Sequence, residues 1–270
     1  MSDPNQMSFL EHLEELRWRI IKAVLAIGVA ATLAFIFKGI VFDEIILAPK
    51  ESAFLTYRIF CKVSLFLGLD DSLCVTSNFS LQNIQMSGQF TSHIVVSLVA
   101  GLVVSFPYVF YQVWGFIQPG LKSSERQSAR GVVFFTTVLF LMGILFGYYL
   151  IAPLSVQFLG SYTVSEQVKN IISLNSFITT VTTTTLASGI VFQLPVVIYF
   201  LAKAGLVTPQ TLKAYRRHAI VGVLILSAII TPPDITSQIL VTLPLIVLYE
   251  VSIKIARVVV RKAEKQDKNQ

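Results

Sequence analysis

Three long stretches of this sequence carry no Asp, Glu, Lys or Arg: residues 91–121, 131–152 and 170–202. Residues 20–37 add an apolar run with one charge, Lys22, near its start. A helix needs about 20 apolar residues to cross about 30 Å of hydrocarbon. Inside lipid every backbone polar group must be satisfied within the segment. These runs therefore constrain the chain to helices that span a membrane. Composition agrees: 13% of residues are charged and the mean hydropathy is +0.71, whereas soluble domains carry about a quarter charged residues.

The expected spans are about 20–37, 92–114, 131–152 and 177–201, with two shorter ones at about 218–232 and 236–250. Lys22 can snorkel to the surface. Pro107 is a kink site in the second span, and Tyr108, Tyr111 and Trp114 suit an interfacial belt. Pro153 is expected to end the third span, and Pro195 to interrupt the fourth. The last two runs hold about fifteen uncharged residues each, or roughly 22 Å of helix, so each falls short of the bilayer. Thr231-Pro232-Pro233-Asp234 separates them, because two prolines cannot continue a helix and Asp234 suits an N-cap.

Six spans put both termini on one side. Of the Lys and Arg residues, sixteen then fall on the side of the termini and five, including Lys50 and Arg58, on the other. The positive-inside rule makes the terminal side cytoplasmic. The result is an all-α polytopic membrane protein. Residues 1–257 form one six-helix domain, with an exoplasmic cap at 38–90. Residues 258–270 form a basic cytoplasmic tail. The first nineteen residues are acidic and lack the basic region and cleavage site of a secretory signal peptide, so the first span is expected to act as a signal anchor. Cys61 and Cys74 lie in the cap. On an oxidising side they can form a disulfide worth roughly 3 kcal/mol; the alternative is two free thiols.

The chemistry-bearing groups are few. The three histidines, His12, His93 and His218, are scattered, so no metal cluster is visible. No glycine-rich phosphate loop is present. Neither a cofactor nor an enzyme is expected, and the net charge of +6 follows the membrane sides rather than a nucleic-acid surface. Just before the first span, Leu13, Leu16 and Ile20 share one helical face, and Glu11 and Glu15 stack on another with Glu14 alongside. This segment is either a solvated amphipathic lead-in, with Glu15 paired to Arg19, or an acidic lip that captures a basic peptide. Gln193 falls close to the membrane midplane, where polar groups face protein or a water-filled cavity. Thr179, Thr180 and Thr182–Thr185 can bond back to carbonyls four residues earlier. Asp234, Gln238 and Glu250 cluster around the short last spans, where a thinned bilayer could take a partner helix near Thr231 and Gln238. A secondary transporter using Gln193, Asp234 and Glu250 is the rival reading; no inverted repeat is visible for it.

The pieces in order resemble the TatC family, the multispanning receptor subunit of the twin-arginine protein translocase. They are His12-Leu13-Glu14-Glu15-Leu16-Arg17; Ala48-Pro49; Tyr111-Gln112-Val113-Trp114-Gly115-Phe116-Ile117-Gln118-Pro119 followed by Glu125-Arg126; Phe146-Gly147-Tyr148 with Pro153; Phe192-Gln193-Leu194-Pro195; and Thr231-Pro232-Pro233-Asp234 with Ser237-Gln238. The resemblance covers nearly the whole chain. It implies a glove-shaped six-helix protein with short fifth and sixth helices and with structural prolines at Pro49, Pro119, Pro232 and Pro233. It implies that Glu15 and Glu125, with Arg17 and Phe116 on the same surface, bind the paired arginines of a folded cargo's signal peptide. Single-span TatA/TatB-like partners, self-association, transport driven by the proton-motive force and a place in the bacterial cytoplasmic (inner) membrane rather than a thylakoid follow from it too. Many members carry Glu where this chain has Gln193, and an amide cannot titrate.

Overall fold

The computed structural model describes residues 9–66, 80–117, 129–165, 167, 170–231 and 235–267. Ten α-helices are described: α1 (Phe9–Ile36), α2 (Leu55–Phe66), α3 (Gly88–Ile117), α4 (Ala129–Phe146), α5 (Ala152–Ser161), α6 (Leu174–Val191), α7 (Leu194–Lys203), α8 (Pro209–Ala214), α9 (Arg216–Ile230) and α10 (Ile235–Asp267). π-helical turns occupy Gly39–Ile46 and Gly147–Ile151, and a 3-10 turn occupies Ala48–Lys50. Two short strands, β1 (Leu81–Gln82) and β2 (Ile172–Ser173), pair in parallel, Leu81 opposite Ile172.

Among the described residues, five helical stretches are long and apolar enough to cross a membrane: Leu10–Ile36, Gly88–Ile117, Gly131–Ser161, Leu174–Lys203 and Gln238–Arg261. Of the expected spans, 92–114, 131–152 and 177–201 lie inside the second, third and fourth of these, 20–37 and 236–250 overlap the first and last, and 218–232 lies in none of them. The expected short run at 218–232 falls largely on α9, a helix of 15 residues that is not one of the five. The sixth differs from its expected fifteen residues, because α10 has 33. Glu250 ends the uncharged run and Lys254, Arg257 and Arg261 follow it, but a charge ends no helix. No Gly or Pro follows Pro244 before Asp267, so the basic tail expected from 258 begins as helix.

Pro153 does not end the third span either. The chain passes through the π-helical turn into α5, with Pro153 in the first turn of α5, where a missing N–H leaves the least unsatisfied. Pro195 does interrupt the fourth span. α6 stops at Val191, Phe192 and Gln193 form the break, and α7 restarts with Pro195 near its N-terminus.

The chain divides into two compact units, Met1–Ile45 with Phe90–Val138, and Ile46–Gln89 with Leu139–Gln270. In the first, α1 and α3 meet closely: a Cβ on Gly101 would lie 2.6 Å from the Ala31 backbone nitrogen. His93 stacks on Phe35 with centroids 3.8 Å apart, and its Nε2 is 3.1 Å from the Phe35 carbonyl.

In the second unit, α4 and its π-helical extension lie against α6 through small residues. Cβ atoms built on Gly143 and Gly147 would each come within 2.8 Å of α6 backbone atoms, at Gly189 and Thr185. Such close approach is how helices associate in lipid, where no hydrophobic effect drives them together. One core cluster joins Ile151, Val191, Phe192, Val223, Val241 and Leu245. A second joins α7 to α10 through Ile198, Ala202, Tyr249, Ile253 and Ala256. Thr180, Thr182, Thr183 and Thr184 of α6 bond back as expected, Thr182 Oγ1 donating to the Ile178 carbonyl at 2.7 Å and Thr184 Oγ1 to that of Thr180 at 2.7 Å, whereas Thr185 Oγ1 is buried and makes no hydrogen bond to the described residues.

Candidate functional site

The first turns of α1 turn a polar edge toward α3. Leu13 and Ile20, from the expected apolar face, are exposed, whereas His12, Glu15 and Arg19 are half-buried. Next to lipid this is the favourable arrangement, because apolar side chains face outward and polar ones seek protein. His12 stacks on Phe116 with centroids 4.4 Å apart and planes at 18°. Arg19 fills the notch over Gly115, where a Cβ would lie 2.0 Å from its Nη1. The Arg19 Nε and Nη2 both donate to Glu15 Oε1, at 2.9 and 2.6 Å. Each side chain of the pair is 24% exposed. Glu15 Oε2 is sheltered from solvent and accepts no hydrogen bond from the described residues.

Glu15 and Phe116 thus share one surface. Arg17 is on the same helix but exposed. Glu125 and Pro119 lie outside the described residues. The Glu15–Arg19 pair was legible from spacing. Gly115 was missed as a participant, although it sits beside Phe116 in the quoted motif.

A second polar group joins α9 to α10. Thr231 is buried and its Oγ1 donates to the Ser227 carbonyl at 2.8 Å. Ser227 Oγ is 2.9 Å from Thr242 Oγ1. Thr242 in turn donates to the Gln238 carbonyl at 2.7 Å, and Gln238 Nε2 donates to the Leu224 carbonyl at 3.3 Å. Thr231 and Gln238 therefore belong to one network, completed by Ser227 and Thr242. The four-residue spacing of Ser227 to Thr231 and of Gln238 to Thr242 was the available signal for these two. Asp234, Pro232 and Pro233 lie outside the described residues.

Glu250 is elsewhere, roughly 18 Å along α10 from Gln238 by helical rise. It forms an ion pair with Arg216 at 2.5 Å, so it does not stand alone as an intramembrane carboxylate. Gln193 sits at the α6–α7 break, its carbonyl accepting from Val196 N at 2.9 Å and Val197 N at 3.0 Å.

In the cap, Pro49 is buried, and its carbonyl accepts from Tyr57 Oη at 2.9 Å; the same hydroxyl lies 3.0 Å from the Pro153 carbonyl. Thr56 Oγ1 donates to the Tyr149 carbonyl. That carbonyl lies four residues before Pro153, whose missing N–H cannot serve it. Burial pushes the Tyr57 hydroxyl above its usual pKa. Cys61 is disulfide-bonded, and Cys74 lies outside the described residues. Among the described residues no group of His, Cys, Asp and Glu could hold a metal.

The family model for Sec-independent protein translocase protein (TatC) matches residues 11–244. The Sec-independent protein translocase protein TatC of Blattabacterium sp. subsp. Periplaneta americana is 39% identical, over 97% of this chain and 99% of its own length. The protein TatCy of Bacillus subtilis is 33% identical, over 97% and 93%. A crystal structure of the twin-arginine translocase receptor TatC in DDM superposes with a TM-score of 0.71 at 31% identity, covering 91% of this chain and 99% of that one. With helical architecture, sequence and structural likeness in agreement over nearly its whole length, the chain belongs to the TatC family of Sec-independent protein translocase proteins.

Proposed function

We propose that this multi-pass translocase subunit is the receptor for twin-arginine signal peptides, with Glu15 and Glu125 taking the two guanidinium groups. Arg17 and Phe116 border the same surface. The observation that carries this is the state of Glu15: half-buried beside Phe116, with one carboxylate oxygen on Arg19 and the other sheltered and unpartnered among the described residues. Guanidinium is the natural ligand of such a group, because its planar fork matches a carboxylate. The α9–α10 network around Thr231 and Gln238 marks where a single-span partner helix docks, and Gln193, Asp234 and Glu250 are further polar positions proposed to meet it. On this reading the protein is a transport component of the bacterial cytoplasmic membrane. It has six spans and cytoplasmic termini, draws on the proton-motive force, and recruits TatA/TatB-like subunits to folded cargo.

Titration of a labelled Arg-Arg signal peptide against Glu15→Gln and Glu125→Gln protein tests it. A charge-assisted hydrogen bond is worth roughly 1.5–3 kcal/mol, so each change should weaken binding about tenfold or more, and a Lys-Lys peptide should bind weakly to all forms. Unchanged affinity in both variants ends the receptor assignment.

A further inference from the structure

α2 is amphipathic in the reverse sense for a helix facing water. The side turned to its own unit carries Thr56, Tyr57 and Ser64, all buried. The other side carries Leu55, Ile59, Val63 and Phe66, which are 52%, 49%, 44% and 91% exposed. Their spacing of four, four and three places them on one stripe. Arg58 and Lys62 flank the stripe; both are exposed, and neither has an ion-pair partner among the described residues.

The anchors of α2 set its depth. Thr56 and Tyr57 bond to the carbonyls of Tyr149 and Pro153. Counted from Gly131, which follows Arg130, these carbonyls lie roughly 27–33 Å along the span by helical rise, where a hydrocarbon layer about 30 Å thick ends. Phe54, Tyr148 and Tyr149 cluster at the same level, Phe54 lying 5.6 Å from each tyrosine ring, and aromatic rings favour that boundary. A stripe of large apolar side chains at this level, edged by cations, matches a helix lying in the headgroup region.

We propose that α2 is an interfacial helix of the leaflet opposite Arg130. Leu55, Ile59, Val63 and Phe66 enter the acyl region, and Arg58 and Lys62 reach lipid phosphates. The occupant of the stripe is phospholipid, because the flanking cations complement phosphate and the depth is that of the headgroups. This rests on the membrane placement of the chain and not on the receptor reading, so either can fail alone.

Full-length Ile59→Trp and Val63→Trp proteins in vesicles of phosphatidylethanolamine and phosphatidylglycerol test it, against the unsubstituted protein whose Trp18 and Trp114 set the background. Lipid brominated high on the acyl chain should remove the added emission, and iodide in the water should not. In a Phe66→Trp protein, Ile59→Glu together with Val63→Glu should restore iodide quenching while thermal unfolding stays unchanged, since both sites are exposed. A benzophenone side chain at Val63 should form a phospholipid adduct in native membranes. Adducts only to a second copy of the chain or to another protein, or iodide quenching without bromine quenching, overturn the proposal.

Discussion

On the proposed reading two guanidinium groups compete for the Glu15 carboxylate: Arg19 of the same helix, and an arginine of the signal peptide. Arg19 places two nitrogens on a single oxygen, and a partly exposed pair of this kind contributes about 0.5–1 kcal/mol. Removing Arg19 should release that amount to the incoming ligand. Arg19→Gln is therefore expected to tighten twin-arginine peptide binding about two- to fivefold in a titration; weaker binding would mean that Arg19 instead holds the carboxylate in its binding pose. Tyr57 gives a second test. Its folded pKa is raised above the unfolded value near 10 by burial. Its contribution to stability is complete below pH 10. Above pH 10 the unfolded chain ionises first, so stability falls with rising pH. Thermal unfolding should show this alkaline loss, and Tyr57→Phe should flatten it while lowering stability by about 1 kcal/mol at neutral pH for the lost hydrogen bond. The pairing of Glu15 with Arg19 was legible because both sit on one helix four residues apart. The turning of His12, Glu15 and Arg19 toward α3 was not, because spacing within a helix does not say which edge meets another helix.

Among the elements, existence was legible and ends were not. An uncharged run reports the thickness of hydrocarbon that a segment can occupy, and such runs fall on the five described stretches long and apolar enough to cross a membrane. A helix ends where its hydrogen bonds or its backbone geometry fail, and charge has no part in that. Thus α10 runs past Lys254, Arg257 and Arg261, and the chain stays helical through Pro153 because a π-helical turn precedes it. Only at Pro195 and after Ile230 did the sequence mark the true breaks. The packing of α4 and its π-helical extension on α6 also escaped notice, although Gly143 and Gly147 stand four apart in the small-xxx-small pattern of helix contacts. A side chain at Gly147 would strike α6 backbone, which cannot step aside as a flexible side chain can. Gly147→Ala is expected to cost about 1–3 kcal/mol, read as a lower melting temperature in detergent. Gly131→Ala, where a Cβ meets nothing within 4 Å, should leave the melting temperature unmoved.

For the molecule as a whole, the asymmetry of basic residues carries a prediction that no single helix does. If the terminal side is cytoplasmic, a membrane-impermeant thiol reagent applied outside intact cells should label Cys61 after reduction and should miss a cysteine added at the C-terminus; the opposite pattern would invert the protein in the membrane. The described cap also bears on how such a chain can be made. The Tyr149 carbonyl, whose α-helical partner position is held by Pro153, accepts from Thr56, 93 residues earlier. A ribosome releases Thr56 first. If the cap crosses before the third span inserts, the Thr56 hydroxyl is in place before the carbonyl to which it donates. Circular rearrangement of the gene so that residue 149 precedes residue 56 would leave every contact of the finished protein available and reverse the order in which donor and acceptor arrive.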